Sequence, residues 1–202
     1  MKKVITISRE FGSGGRVIGK RVADKMGIKF YDRALIRLIA EESGLAHEFI
    51  QSSDESFTAK APLYFAVGDL YSHMSFAPGS MSLQDQIHML LGDIIRDIAE
   101  KESCVIVGRS ADYFLRGRDD CLNVFLHAHK DYKLKRLTET YGMPSNEAER
   151  SMEKTDKARA NYYKYYSEQI WGQARNYHVS LDSGLLGDEL CTDIITELAT
   201  VL

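Results

Sequence analysis

Hydrophobic positions along this chain alternate between short unbroken runs and helical spacing. Val4–Ile7 (VITI) is rich in β-branched residues and predicts a buried strand. Val17, Ile18, Val22 and Met26 then fall at helical spacing, which predicts a helix from Arg16 to about Met26, stopped by Gly27. Ile28–Tyr31 predicts a second strand, and Leu35, Ile36, Leu38 and Ile39 a helix from Arg33 to about Glu42. Residues 45–80 are less regular, with scattered Gly, Pro, Ser and aromatic positions; one or two short helices and a mobile loop are expected there. Ser82–Lys101 carries Leu83, Ile87, Leu90, Leu91, Ile94 and Ile98 on one stripe and predicts a long helix.

The second half repeats the alternation. Ser103–Gly108 (SCVIVG) reads as a third strand with almost no polar break, as in parallel sheets covered on both faces. A short helix around Ala111–Leu115, a strand at Leu122–Leu126, and a helix over Asp131–Tyr141 ended by Gly142 follow. Asn146 with Glu149 forms a capping-box pattern for a polar helix running to about Glu168. Val179–Leu181 predicts a fifth strand, and Asp188 to about Val201 a last helix with Leu190, Ile194, Ile195 and Leu198 on its core face. Strands alternating with helices point to an α/β fold around a parallel sheet.

Composition narrows the class. The 202 residues are 44% hydrophobic and 27% charged, which suits one globular domain with a substantial core. A net charge of −3 gives no global case for nucleic-acid binding, and the acids around the NYYKYY run weaken a local one. Cys104, Cys121 and Cys191 have no metal-ligand spacing and read as reduced thiols of a cytoplasmic protein. The opening residues lack the apolar region of a signal peptide, and no run is long enough for a membrane span, so no membrane association is expected. No oligomeric state is read from the sequence.

The chemistry concentrates where the first strand meets the first helix. Gly12, Ser13, Gly14 and Gly15 form a glycine cluster before Arg16. Strand, glycine turn and helix make a phosphate cradle, because glycines let backbone N–H groups approach an anion and the helix start adds unpaired donors. A second register exists, with Gly14, four residues, Gly19 and Lys20. It leaves only about two helical turns before Gly27, so the Gly12–Arg16 register is preferred; the cluster could also be a plain connecting turn. Asp32 follows the second strand and suits either a helix cap or a ligand at the sheet's carboxyl edge. Arg109 follows the third strand, where its planar fork suits phosphate. Arg150, Lys154 and Lys157 lie near one stripe of the polar helix, with Asp156 and Arg159 beside them; the set reads as a solvated face or as a lid closing over phosphates.

These blocks resemble the cytidylate kinase-like family within the P-loop nucleoside monophosphate kinases. The likeness rests on Ile5–Arg16 (ITISREFGSGGR), Phe30–Arg33 (FYDR), Val105–Tyr113 (VIVGRSADY), Arg150–Arg159 and Leu181–Ser183 (LDS). It implies a three-layer P-loop kinase fold with a five-stranded sheet in 2-3-1-4-5 order, a monophosphate-binding insertion over about 33–80 and a lid over about 145–175. It implies phosphate transfer from ATP, with Mg²⁺, to a nucleoside monophosphate, CMP or dCMP in true cytidylate kinases. Carried over by residue, Gly12, Ser13, Gly14, Gly15, Arg16 and Val17 would hold the donor phosphates. Asp32, Arg33, Arg109 and Asp112 would face the acceptor, with Asp182 at the end of the fifth strand. Arg150, Lys154, Lys157 and Arg159 would serve the lid, oriented by Asp156. The loop lysine of true cytidylate kinases falls on Gly15 and their magnesium hydroxyl on Val17, so the resemblance also admits a nucleotide-binding regulator with weak or no kinase activity. Metal ligands are left unassigned.

Overall fold

The computed structural model describes residues 3–32 and 83–201. The expected helix after Arg33, the irregular stretch over 45–80 and Ser82 lie outside the described residues. The chain divides into two compact units, Met1–Asp32 with Ile98–Leu202, and Arg33–Asp97. The sheet belongs wholly to the first.

Five parallel strands form the sheet: β1 (Val4–Arg9), β2 (Lys29–Tyr31), β3 (Cys104–Val107), β4 (Cys121–His127) and β5 (Val179–Asp182). Their order is β2-β3-β1-β4-β5, as the resemblance implies. Val4 lies opposite both Cys104 and Cys121, which centres β1 and aligns the carboxyl ends of the strands on one edge. The described helices are α1 (Gly15–Met26), α2 (Leu83–Lys101), α3 (Ala111–Phe114), α4 (Lys130–Lys135), α5 (Ser145–Ser167) and α6 (Ser183–Val201). Among the described residues no helix is long and apolar enough to cross a membrane.

One face of the sheet holds the main core. Ile5, Ile7, Val105, Val107, Leu122, Val124 and Leu126 alternate along their strands and pack with Ile18 and Val22 of α1 and with Cys191, Ile195 and Ala199 of α6. The opposite face carries buried polar groups, each paired. Thr6 donates to Asn123 Oδ1 at 2.6 Å, and Ser8 donates to Asp112 at 3.2 Å. A second cluster, Leu137, Ala148 and Met152 with Phe11 against it, joins the chain after α4 to α5.

Three local expectations change. A short helical turn from Ser183 precedes the last helix, which begins again after the non-helical Gly187 (φ 76°, ψ 165°), at the expected Asp188. Its core face is Cys191, Ile195 and Ala199, whereas Leu190 and Leu198 are 47% and 38% exposed. Cys191 and Ala199, two small residues flanking Ile195 at four-residue steps, complete this face, and the larger Leu190 and Leu198 mislead a reading by hydrophobicity alone. The polar helix begins at Ser145 with Pro144 as N-cap and no side-chain cap. Glu149, the expected capping-box partner, pairs with Lys130 instead. The helix after β4 is regular only over Lys130–Lys135 and widens into a π-turn over Arg136–Thr140.

The reassigned face of α6 is testable. Ile195→Ala is expected to cost about 2–5 kcal/mol and Leu198→Ala under about 1 kcal/mol, read from urea midpoints. Equal costs would restore the Leu190–Leu198 face as core.

Candidate active site

The loop from Arg9 to Gly14 joins the centre of the sheet to α1. Gly12 and Gly14 have φ of 87° and 80°, a left-handed backbone that side-chain-bearing residues adopt at a cost. With Gly14 as N-cap, α1 begins at Gly15 with no side-chain cap and no acidic residue in its first turn. An open helix start of 12 residues therefore faces the carboxyl edge of the sheet, which suits an anion. With the helix beginning at Gly15, Lys20 lies in the second turn, exposed and paired with Asp24, and Gly19 packs on the sheet, where a Cβ would stand 2.8 Å from Val107 Cγ2.

Charged groups from the chain after β4 hold this loop. Asp156 Oδ1 accepts the Phe11 N–H at 2.7 Å, and Arg159 Nη1 donates to the Arg9 carbonyl at 3.0 Å and to Asp156 at 3.2 Å. Burial pushes the Asp156 pKa up, against the lowering influence of Arg159, the Phe11 N–H and Lys133. Lys133 Nζ lies 2.8 Å from Glu10 and 3.9 Å from Asp156. Arg136 pairs with Asp188 at 2.6 Å, and its guanidinium lies against Gly14, where a Cβ would stand 1.8 Å from Nη1. Ser13 donates to the Glu10 carbonyl, and Ser183 donates to the Ser13 carbonyl at 2.7 Å.

The other expected site residues distribute as follows. Arg16 is exposed and pairs with Asp32 at 2.5 Å, which joins the first turn of α1 to the end of β2. Val17 is half-buried on α1. Arg109 sits in a turn where Gly108, Arg109 and Ser110 all have positive φ, 81°, 62° and 52°. Two non-glycine residues there store strain, a feature that clusters at functional sites. Asp112 is buried beneath the edge, its carboxylate taken up by Ser8 and by the Tyr163 hydroxyl at 2.6 Å. Burial pushes the Asp112 pKa up, and these hydrogen bonds oppose the shift. Asp182 caps α6 by accepting the Gly184 and Leu185 N–H groups. On α5, Asp156 and Arg159 reach the loop, whereas Arg150, Lys154 and Lys157 are exposed. Arg33 lies outside the described residues.

Sequence reasoning missed Arg9, Glu10, Lys133, Arg136, Asp188 and Tyr163. Only Arg9 left a local signal, a charged residue ending a buried strand. The rest become neighbours of the loop through the fold.

The chain is similar to known proteins along most of its length. The model of the cytidylate kinase-like family matches residues 4–185. The cytidylate kinase of Archaeoglobus fulgidus is 26% identical over 98% of this chain and 94% of that protein. A solved structure of an uncharacterized protein from Eubacterium ventriosum superposes with a TM-score of 0.73 at 28% identity, covering all of both chains. Shikimate kinase from Bacteroides thetaiotaomicron shares the fold, with a TM-score of 0.54 at 20% identity over 98% of each chain. An open helix start at the carboxyl edge of a 2-3-1-4-5 sheet is the framework of a P-loop kinase, and with the family match it makes this protein a phosphotransferase. More narrowly, the chain belongs to the cytidylate kinase-like family.

The buried carboxyl gives a pH test. A pKa raised above the ordinary 3.8 means that the folded chain holds the Asp112 proton more tightly than the unfolded chain. Its contribution to stability is therefore largest below 3.8 and is lost as pH rises through the folded value. Asp112→Asn is expected to flatten this part of the stability profile, measured as urea midpoints at rising pH; an unchanged slope would show that Asp112 does not titrate differently on folding.

Proposed function

We propose that this protein transfers the γ-phosphate of ATP to a nucleoside monophosphate, with CMP or dCMP as the best candidate acceptor. The observation that carries the reading is the uncapped start of α1 behind the Gly12–Gly15 turn, in a chain of this family. The named activity of the Archaeoglobus relative supports the choice of acceptor.

In this reading the loop amides and the first turn of α1 bind the donor phosphates, with Gly12, Ser13, Gly14, Gly15, Arg16 and Val17 as the contact segment. Asp32, held by Arg16, faces the acceptor together with Arg33 and Arg109, and Arg109 places its fork at the end of β3. Residues 33–80 form the acceptor-binding insertion. Residues 145–175 form a lid, with Arg150, Lys154 and Lys157 closing over the transferring phosphate and Arg159 and Asp156 keeping its base on the loop. Asp112 and Asp182 serve from beneath, one under the strand ends and one at the start of α6. Catalysis then rests on positioning and charge neutralisation.

ATP and Mg²⁺ are part of the proposal. The loop offers a backbone cradle that fits phosphate. For the metal, the described residues contain no group of three His, Cys, Asp or Glu side chains. No step here depends on a magnesium cage built from protein ligands. The three buried thiols fit the reducing cytoplasm where nucleotides are made.

A specific feature favours a second reading, a nucleotide-binding regulator: Gly15 stands where true cytidylate kinases place their loop lysine. One assay separates the two. ATP–Mg²⁺ is offered with CMP, dCMP, other monophosphates and small alcohols, and nucleotide binding is measured in parallel. Turnover of a monophosphate, reduced about 10²-fold in kcat/KM by Arg109→Gln, is the expected result. Binding without turnover of any acceptor would leave the regulator, and failure to bind ATP would remove both.

A further inference from the structure

We propose that Arg9 is the phosphate-binding cation of this site, and that Gly15 is a glycine because the Arg9 side chain occupies the space beside it. Arg9 ends β1. A Cβ built on Gly15 would stand 2.6 Å from Arg9 Cγ and 2.7 Å from its Cβ. A Cβ built on Gly108 would stand 2.1 Å from Arg9 Nη1 and 2.9 Å from Cζ. The side chain therefore runs from the first residue of α1 to the end of β3 and sets its guanidinium between the loop and the turn that carries Arg109. That is the carboxyl edge, where the phosphates of the proposed reaction lie.

Backbone conformation does not require glycine at position 15. Gly15 is the first residue of α1 and is not among the positive-φ glycines. A Cβ there would collide with the inner atoms of the Arg9 side chain, so space is the reason for it. The general loop pattern is Gly, four residues, Gly-Lys. Laid with its second glycine on Gly14, it puts its first glycine on Arg9 and its lysine on Gly15. The cation and the glycine have exchanged places, and the charge returns to the same region from β1 instead of from α1. The Arg9 backbone is fixed for this task. Its carbonyl accepts from Arg159, and the next N–H, that of Glu10, donates to Leu126 at 2.9 Å.

The inference rests on the phosphate-transfer reading, and the experiment keeps the two apart. Binding of a non-hydrolysable ATP analogue, of inorganic tripolyphosphate and of adenosine is measured by calorimetry. The parent protein is compared with Arg9→Ala, Arg9→Lys, Gly15→Ala and the double exchange Arg9→Gly with Gly15→Lys. Arg9→Ala is expected to weaken the analogue and tripolyphosphate by about tenfold or more and to leave adenosine unchanged. Arg9→Lys and the double exchange are expected to recover part of the loss. Gly15→Ala, which leaves Arg9 in place but displaces its side chain, is expected to weaken the same two ligands and decides the matter should Arg9→Ala not fold. Parent-like affinity for tripolyphosphate in Arg9→Ala, or in Gly15→Ala if that is the folded variant, would overturn the role of Arg9 alone. A parent that binds neither the analogue nor tripolyphosphate would overturn the phosphate-transfer reading and this inference with it.

Discussion

The loop between Arg9 and Gly15 depends on groups brought to it by the rest of the fold. Within the loop the Ser13 N–H reaches the Glu10 carbonyl, and further restraints come from outside. Asp156 and Arg159 take the Phe11 N–H and the Arg9 carbonyl, Glu10 reaches Lys133 and the Ala128 N–H, and Ser183 takes the Ser13 carbonyl. The holding groups come from α4, α5, the end of β4 and the start of α6. A network of partly buried charges of this kind matters for geometry more than for net stability, because desolvation offsets much of the Coulomb attraction.

The sheet beneath shows the same division of labour. Its apolar face supplies the main core with α1 and α6. The polar face pairs Thr6 with Asn123 and Ser8 with Asp112, and Tyr163 closes the group from α5. Buried polar groups are costly unless satisfied, and here one pair joins β1 to β4 while the other ties α3 and α5 to β1. Core packing fixes where the strand ends are; the polar face fixes which helices stand over them.

The fold was legible because its signals are local and periodic. VITI, SCVIVG and LNVFL read as buried strands, and the glycine cluster marked the loop. The order of the sheet came from the resemblance, since pairing joins residues far apart in sequence, such as Val4 with Cys104 and Cys121. Arg16, Asp32 and Arg109 were legible because each adjoins a strand end or a helix start. Lys133, Arg136 and Asp188 were not, because their role depends on how α4 and α6 pack beside the loop. The core face of α6 was legible in part: Ile194 and Ile195 pack in the core, whereas Cys191 and Ala199 were passed over because they are small, and close helix contact selects size as much as hydrophobicity. The proposed capping box failed for a related reason: the partner of Glu149 is Lys130, on another helix.

The crowding of Gly15 by the Arg9 side chain has a consequence for how such a loop can change over generations. A side chain at position 15 collides while arginine remains at position 9, and loss of the arginine alone leaves position 15 without a cation. Neither single step is neutral, so the two positions are bound into one historical unit. An ancestor with lysine in the loop and a descendant with arginine on the strand would be separated by a valley that only a paired change, or a permissive intermediate with a small residue at both sites, can cross. Lineages on either side would then tend to stay there, with sequence at one position constraining the other long after the original exchange.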